Sequence, residues 1–186
     1  MKFEIKNRFT GSVIFSLETE SMKLCVEAAW KNGADLSRAD LSRADLSGAD
    51  LSRADLSRAE GVNKNLCTPL LLLLDQPGKI RAYKLVNANM EGPYNGGIKY
   101  QKGKLASVDN ANTDETEQCG AGINIATLDW CMKEWREGYR ILIVEFTAKD
   151  IAAIPTATDG KFRVERCKVV GEKDLKEIGL ICGGAQ

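Results

Sequence analysis

The chain has 186 residues, 26 Lys plus Arg against 26 Asp plus Glu, and no histidine, so its formal net charge is zero. A zero balance supplies no global basic field and argues against direct nucleic-acid binding. Without imidazole, Ser-His-Asp and Cys-His catalysis and every His-containing zinc site are excluded, leaving carboxylates, Lys, Tyr, Arg, Ser and Cys for any chemistry.

The length suits one ordinary domain, or a small one plus a module. No apolar run approaches the roughly 18 residues of a membrane span. The opening Met-Lys-Phe-Glu-Ile-Lys lacks the apolar core of a secretion signal. The expectation is a soluble, cytoplasmic protein with no membrane partner. Six cysteines, at 25, 67, 119, 131, 167 and 182, form no Cys-x-x-Cys pair. They read as reduced, mostly buried thiols rather than a disulfide framework or a zinc site, and no metal or cofactor is expected.

Residues 2–18 alternate as a β-hairpin. Phe3 and Ile5 alternate with Lys2, Glu4 and Lys6, and Val13, Phe15 and Leu17 with Ser12, Ile14 and Ser16. Thr10-Gly11-Ser12 supplies the turn. Ser21 is the expected N-cap of a helix from Met22 to Lys31, stopped by Asn32-Gly33, with Leu24, Cys25, Ala28 and Ala29 on one face. Trp30 is placed to cover the opening of the repetitive segment that begins at Ala34.

From Ala34 to Glu60 the chain repeats Ala-Asp-Leu-Ser-Arg, with Gly48 in place of one Arg and Ala-Glu at the end. On an α-helix a period of five advances each Leu by about 140° beyond a full turn and scatters Leu36, Leu41, Leu46, Leu51 and Leu56 around the cylinder. On a flat strand it sends alternate leucines to opposite faces. A chain that turns a corner once per unit keeps every Ala and Leu inward, which is a solenoid. The tandem Ala-Asp-Leu-x-x units resemble the pentapeptide-repeat family. The resemblance implies a right-handed quadrilateral β-helix with one pentapeptide per side, Leu36 to Leu56 as central inward residues and Ala34 to Ala59 as the small inward ones. Four sides make a coil of about 20 residues. Leu36 then lies over Leu56 and Ala34 over Ala54, in little more than one coil, whose ends need capping. The hairpin and helix stand where an N-terminal plug is needed.

The outward positions carry Asp35, Asp40, Asp45, Asp50, Asp55 and Glu60 against Arg38, Arg43, Arg53 and Arg58, six acids and four bases. Some pentapeptide-repeat proteins mimic DNA with a long acidic rod and inhibit topoisomerases; this ladder is short and nearly balanced, and reads first as interleaved surface ion pairs.

Beyond Gly61-Val62-Asn63-Lys64-Asn65, five leucines (Leu70 to Leu74) suggest a strand or helical turn buried on all sides. Strands are expected at Lys79–Asn87, Ile98–Tyr100, Lys104–Val108, Ile123–Ala126, Tyr139–Thr147 and Lys161–Val170, the last near an edge because of its charges. A helix is expected after Thr127, with Leu128, Cys131, Met132 and Trp135 as its stripe and Gly138 as its stop. Ala148–Ile154 and Asp174–Ile178 are expected as short turns or helices. Asp109–Glu117 is an acidic loop without the ligand spacing of a calcium loop. Gly120-Ala121-Gly122 lacks the third glycine of a dinucleotide fingerprint.

The fold class is therefore α+β: a hairpin and helix cap (1–33), a short β-helix (34–62), and an α+β domain with a mixed or mostly antiparallel sheet (63–186). A buried strand followed by Gly122-Ile123-Asn124-Ile125-Ala126-Thr127, a helix, and a strand containing Glu145 is similar to ADP-ribosyltransferase-like folds. That similarity implies an NAD-using enzyme with Glu145, Arg81 and Tyr83 as its catalytic candidates. On Glu145's face with Ile141 and Ile143, desolvation would raise its pKa; pairing with Arg140 or Lys168 is the other reading. Trp130 lies off the helix stripe and is the candidate partner anchor, beside the outward Asp and Arg residues of the repeat. As a whole, the segment order is similar to small proteins encoded by bacteriophages and prophages. It suggests a non-enzymatic interaction protein that binds or inhibits a host macromolecule of a defence or DNA-processing system. A third reading is an assembly protein whose coil ends stack between subunits, as a homo-oligomer.

Overall fold

Two strands open the chain, β1 (Lys2–Asn7) and β2 (Val13–Glu18), paired antiparallel. The Asn7 side chain closes their turn by accepting from the Phe9 and Thr10 amides, and Gly11 takes the left-handed conformation there. The structure is a computed structural model. It describes the chain apart from residues 43, 47, 48, 50, 52, 53, 55, 57, 58, 63–67, 95, 157 and 182–186. The chain divides into two compact units, the first made of Met1–Leu72, Thr113–Gly120 and Ala153–Asp159, the second of the remainder.

In unit 1, α1 (Met22–Lys31) starts where Ser21 accepts from the Leu24 amide, and Gly33 beyond Asn32 is left-handed. Its buried residues are Cys25, Val26 and Ala29, while Leu24 is exposed. Cys25 and Ala29 of the expected face meet the core, with Val26 there in place of Leu24.

The repeat makes a turn every five residues. The amides of Ala39, Ala44, Ala49, Ala54 and Ala59 donate to the carbonyls of Leu36, Leu41, Leu46, Leu51 and Leu56 at 2.9–3.0 Å. After twenty residues the chain returns alongside itself. Asp40 pairs in parallel with Glu60, the Leu41 amide donates to the Glu60 carbonyl at 2.8 Å, and the Glu60 amide donates to the Ala39 carbonyl at 2.9 Å. All five leucines and the four alanines between them are buried in one cluster with Ile5, Cys25, Val26 and Ala29. Each buried Leu contributes about 1.5–3 kcal/mol.

The N-terminal hairpin and helix pack against the start of the repeat. β3 (Ala39–Asp40) pairs antiparallel with β1, Lys6 opposite Asp40 and Asn7 opposite Ala39, and the Arg8 amide donates to the Arg38 carbonyl. Trp30 packs against the same cluster.

The leucine run is a 3-10 helix, Pro69–Asp75, with no buried residue; Leu72 and Leu74 are among the exposed large hydrophobic residues. The expectation of burial on all sides is corrected. Hydrophobicity alone marked the run as interior, but a narrow seven-residue helix presents side chains all round.

Unit 2 is built on a sheet in the order β5-β10-β7-β4-β6-β9-β8. The strands are β4 (Lys79–Val86), β5 (Leu105–Ser107), β6 (Ile123–Ala126), β7 (Arg140–Thr147), β8 (Ile151–Ala153), β9 (Lys161–Val164) and β10 (Arg166–Glu172). The registered pairings of β4, β5, β6, β7, β9 and β10 are all antiparallel. No strand forms at Ile98–Tyr100, although the Tyr100 amide donates to the Met90 carbonyl.

The run expected as one edge strand is two strands, β9 and β10, divided at Glu165, and neither lies at an end of the order. Four strand spacings separate them across the sheet, about 19 Å if it were flat. Glu165 alone joins them, a reach of under about 8 Å, so the sheet curls back on itself. Ile80, Ala82, Lys84 and Val86 face its inside and are buried. On the outside, α2 (Leu128–Lys133) packs Trp130 and Cys131 on Leu85, Ala126 and Ile141. Thr127 stands at the N-cap position without a side-chain cap bond, and the helix ends at Glu134, short of Gly138. Ala148–Asp150 forms a 3-10 turn in which Thr147 and Asp150 bond each other reciprocally.

Candidate functional site

Two surfaces carry the residues singled out by the sequence. On the repeat, Asp35, Arg38, Asp40 and Asp45 lie on the outward side, while Arg43, Asp50, Arg53, Asp55 and Arg58 lie outside the described residues. The aspartates do more than face outward. Asp35 Oδ1 accepts from the Ser37 amide at 2.9 Å and Asp40 Oδ1 from the Ser42 amide at 3.0 Å, the Asx-turn bond that fixes a corner. Hydrogen bonds from Ser37 and Ser42 hold both carboxyls below the usual carboxylate range. Glu60 is 3.3 Å from Arg8 Nε. The last unit ends in glycine where its predecessors have leucine: Gly61 is left-handed, and a Cβ there would stand 2.3 Å from Ser42 Cα. Backbone approach ends the ladder at that position.

Residues 32–60 match the family model for pentapeptide repeats, in 8 copies. This segment carries pentapeptide repeats. No curated protein and no solved structure matches the chain. In the pentapeptide segment, Asp35 and Asp40 thus have a structural task that the charge pattern alone did not reveal. The signal was Ser two residues after each of them.

In unit 2, Arg81, Tyr83 and Glu145 occupy one outward face of β4 and β7. Arg81 and Glu145 are direct cross-strand partners, and Tyr83 lies opposite Ile143. Arg81 donates from Nε and Nη2 to Glu145 Oε1 at 2.9 and 2.8 Å, and Lys79 Nζ stands 3.4 Å from Oε2. The Arg81 hydrogen bond holds the Glu145 carboxyl below its ordinary range, with Lys79 adding to the effect. The raised pKa expected from a hydrophobic face is therefore corrected, because two cations outweigh desolvation. Arg140 pairs instead with Glu172, and Lys168 faces Glu145 across the other strand boundary. Tyr83 packs against the α2 cluster.

Trp130 is also corrected as a displayed anchor. It is buried against Leu85, Ala126 and Ile141, with Lys161 Nζ 5.7 Å from the ring centroid, so its indole is committed to unit 2's own packing.

Two buried basic residues have no role assigned from the sequence. Lys84, buried inside the curled sheet, donates to the Asn124 carbonyl at 2.7 Å and lies 5.1 Å from the Tyr100 ring centroid. Desolvation lowers its pKa to about 8. Its place in the alternation Ile80, Ala82, Lys84, Val86 was the available signal. Arg163 is fully buried between Phe162 and Val164 and donates from Nε to the Asn112 carbonyl at 2.9 Å. Gly122, left-handed, lets the neighbouring backbone approach Ala111 and Arg163, so this glycine serves packing.

Proposed function

We propose that the chain is a non-enzymatic interaction protein, phage-encoded, which binds or inhibits a host macromolecule of a defence or DNA-processing system. The pentapeptide segment, as one coil of a right-handed quadrilateral β-helix, presents the contact surface. The observation that carries this reading is the return of the chain at Asp40 and Glu60 with every Leu of the ladder buried. A repeat whose leucines are buried and whose first edge is paired with β1 holds the corners at Asp35 and Asp40 in place, at little ordering cost on binding. Pentapeptide repeats are generally interaction or structural modules, in keeping with this role.

The test compares proteins captured from bacterial lysate by the natural chain and by an Arg38→Glu, Asp45→Lys variant of equal thermal stability. The reading expects a defined partner held by the natural chain and lost by the variant. Identical capture by both, or no specific capture by the natural chain, sinks it.

A further inference from the structure

A second surface lies wholly in unit 2 and does not depend on the repeat. β5 stands at the end of the sheet order, and among the described residues no strand lies beyond it. The Val169 amide donates to the Lys104 carbonyl at 3.0 Å, and the Val108 amide donates to the Glu165 carbonyl at 2.8 Å. Antiparallel bonding alternates along a strand, so Ala106 bonds toward β10 while the N–H and C=O groups of Leu105 and Ser107 point to the free side. Ala106 is buried, whereas Leu105 is 64% exposed.

The sheet face beside this edge is basic. Leu105 lies opposite Lys168, Lys168 opposite Glu145, and Glu145 opposite Arg81. One row thus sets two bases around a single carboxylate, and Lys79 approaches the same carboxylate. The next row places Ser107 opposite Arg166, which pairs with Asp150. Arg166 is matched by acidic neighbours, while Lys168, Arg81 and Lys79 around the single carboxylate of Glu145 leave an excess of two positive charges on that row, in a chain of zero net charge.

A short edge strand flanked by lysine is also how sheets discourage pairing. Here, however, the edge presents an exposed leucine. We propose that an acidic, extended segment of a partner protein adds as a further strand beside β5, its backbone on Leu105 and Ser107 and its carboxylates toward Lys168. Two strand spacings, about 10 Å, separate such a strand from β10, within the combined reach of a Lys and a Glu side chain. A polypeptide fits better than a nucleic acid for two reasons. Only another peptide backbone can complete the free edge. Tyr83, the aromatic residue on this face, is packed against the α2 cluster and offers no stacking platform.

The experiment measures fluorescence anisotropy of a labelled peptide of alternating Glu and Val on the full chain, beside a Lys-Val peptide and a single-stranded oligothymidylate. The Glu-Val peptide should bind best, and added salt should weaken it. Ser107→Pro removes an outward N–H without touching the β10 ladder and should weaken binding by about fivefold or more. Lys168→Glu should weaken it by about tenfold. Circular dichroism verifies that both variants fold. In the natural chain, amide exchange at Leu105 and Ser107 should slow when the Glu-Val peptide binds, a readout that needs no variant. Absence of Glu-Val binding, unchanged binding by folded Ser107→Pro, unprotected amides, or tighter binding of the oligothymidylate each overturns the proposal.

Discussion

Lys84 shows how a single residue couples burial to pH. Its ammonium has one carbonyl and one ring for company inside the sheet, and desolvation brings its pKa from 10.5 to about 8, with Lys161 adding repulsion. Between those values the unfolded chain holds a proton that the folded chain has released, so this group's contribution to stability rises with pH. The nearby thiols of Cys131 and Cys167, raised by burial to about 12 and about 11, act in the opposite sense above pH 9 but are common to both proteins in a comparison. Denaturant unfolding should therefore find the natural chain gaining about 1 kcal/mol on Lys84→Met between pH 8 and 9. A difference flat in pH would mean that Lys84 is not buried as a titrating group. Gly61 is the other decisive single residue. Its left-handed backbone sits where a methyl would strike Ser42 Cα. Gly61→Ala should cost about 2–4 kcal/mol in unfolding free energy, against a few tenths for an exposed control such as Gly11→Asn, which has open space and an Asn-tolerant conformation.

At the scale of elements, the repeat and the curled sheet solve opposite problems. The repeat is locally determined: each corner has its Ala-to-Leu backbone bond, and Asp35 and Asp40 add side-chain bonds within their own corners. Those carboxyls titrate below 3.8 in the folded chain, so their stabilisation is complete above that value and is lost as pH falls through it and below. The thermal midpoint of the natural chain should drop between pH 6 and pH 3, and an Asp35→Asn, Asp40→Asn variant should show a shallower drop. Equal slopes would remove the carboxylates from the account. The sheet, by contrast, depends on distant segments. Lys161–Glu172 serves two separate places in the strand order, and only closure of the whole sheet makes a single residue, Glu165, a sufficient joint.

At the scale of the molecule, the two units do not follow two continuous stretches. Thr113–Gly120 and Ala153–Asp159 belong to unit 1 although both fall late in the chain. The two segments hold each other. The Thr156 amide donates to the Glu115 carbonyl, and the buried Gln118 side chain donates to the Thr156 carbonyl. A fragment ending at Leu72 should therefore melt at a lower temperature than unit 1 does in the full chain, followed by near-ultraviolet dichroism of Trp30. An unchanged midpoint would mean that the late segments add nothing to unit 1. Among the described residues no helix is long and apolar enough to cross a membrane.

The sequence by itself determined whatever repeats or alternates at short range. The five-residue ladder, its inward Ala and Leu, the hairpin, the Ser21 cap and the strands at Lys79, Ile123 and Arg140 all come from local period and turn chemistry. Tertiary structure decided what depends on neighbours distant in the chain. Period alone could not show that Leu70–Leu74 lacks buried residues, because hydrophobicity states a preference and not the presence of a covering partner. Nor could it show that Glu145 is ionised, since that rests on Lys79 and Arg81, more than sixty positions away. Trp130 was read from its place on one helix and settled by the sheet beneath it. Closure of that sheet put Lys84 inside, and the chain at Asn112 covers Arg163 on the opposite face; in both places a buried charge must find a carbonyl to bond.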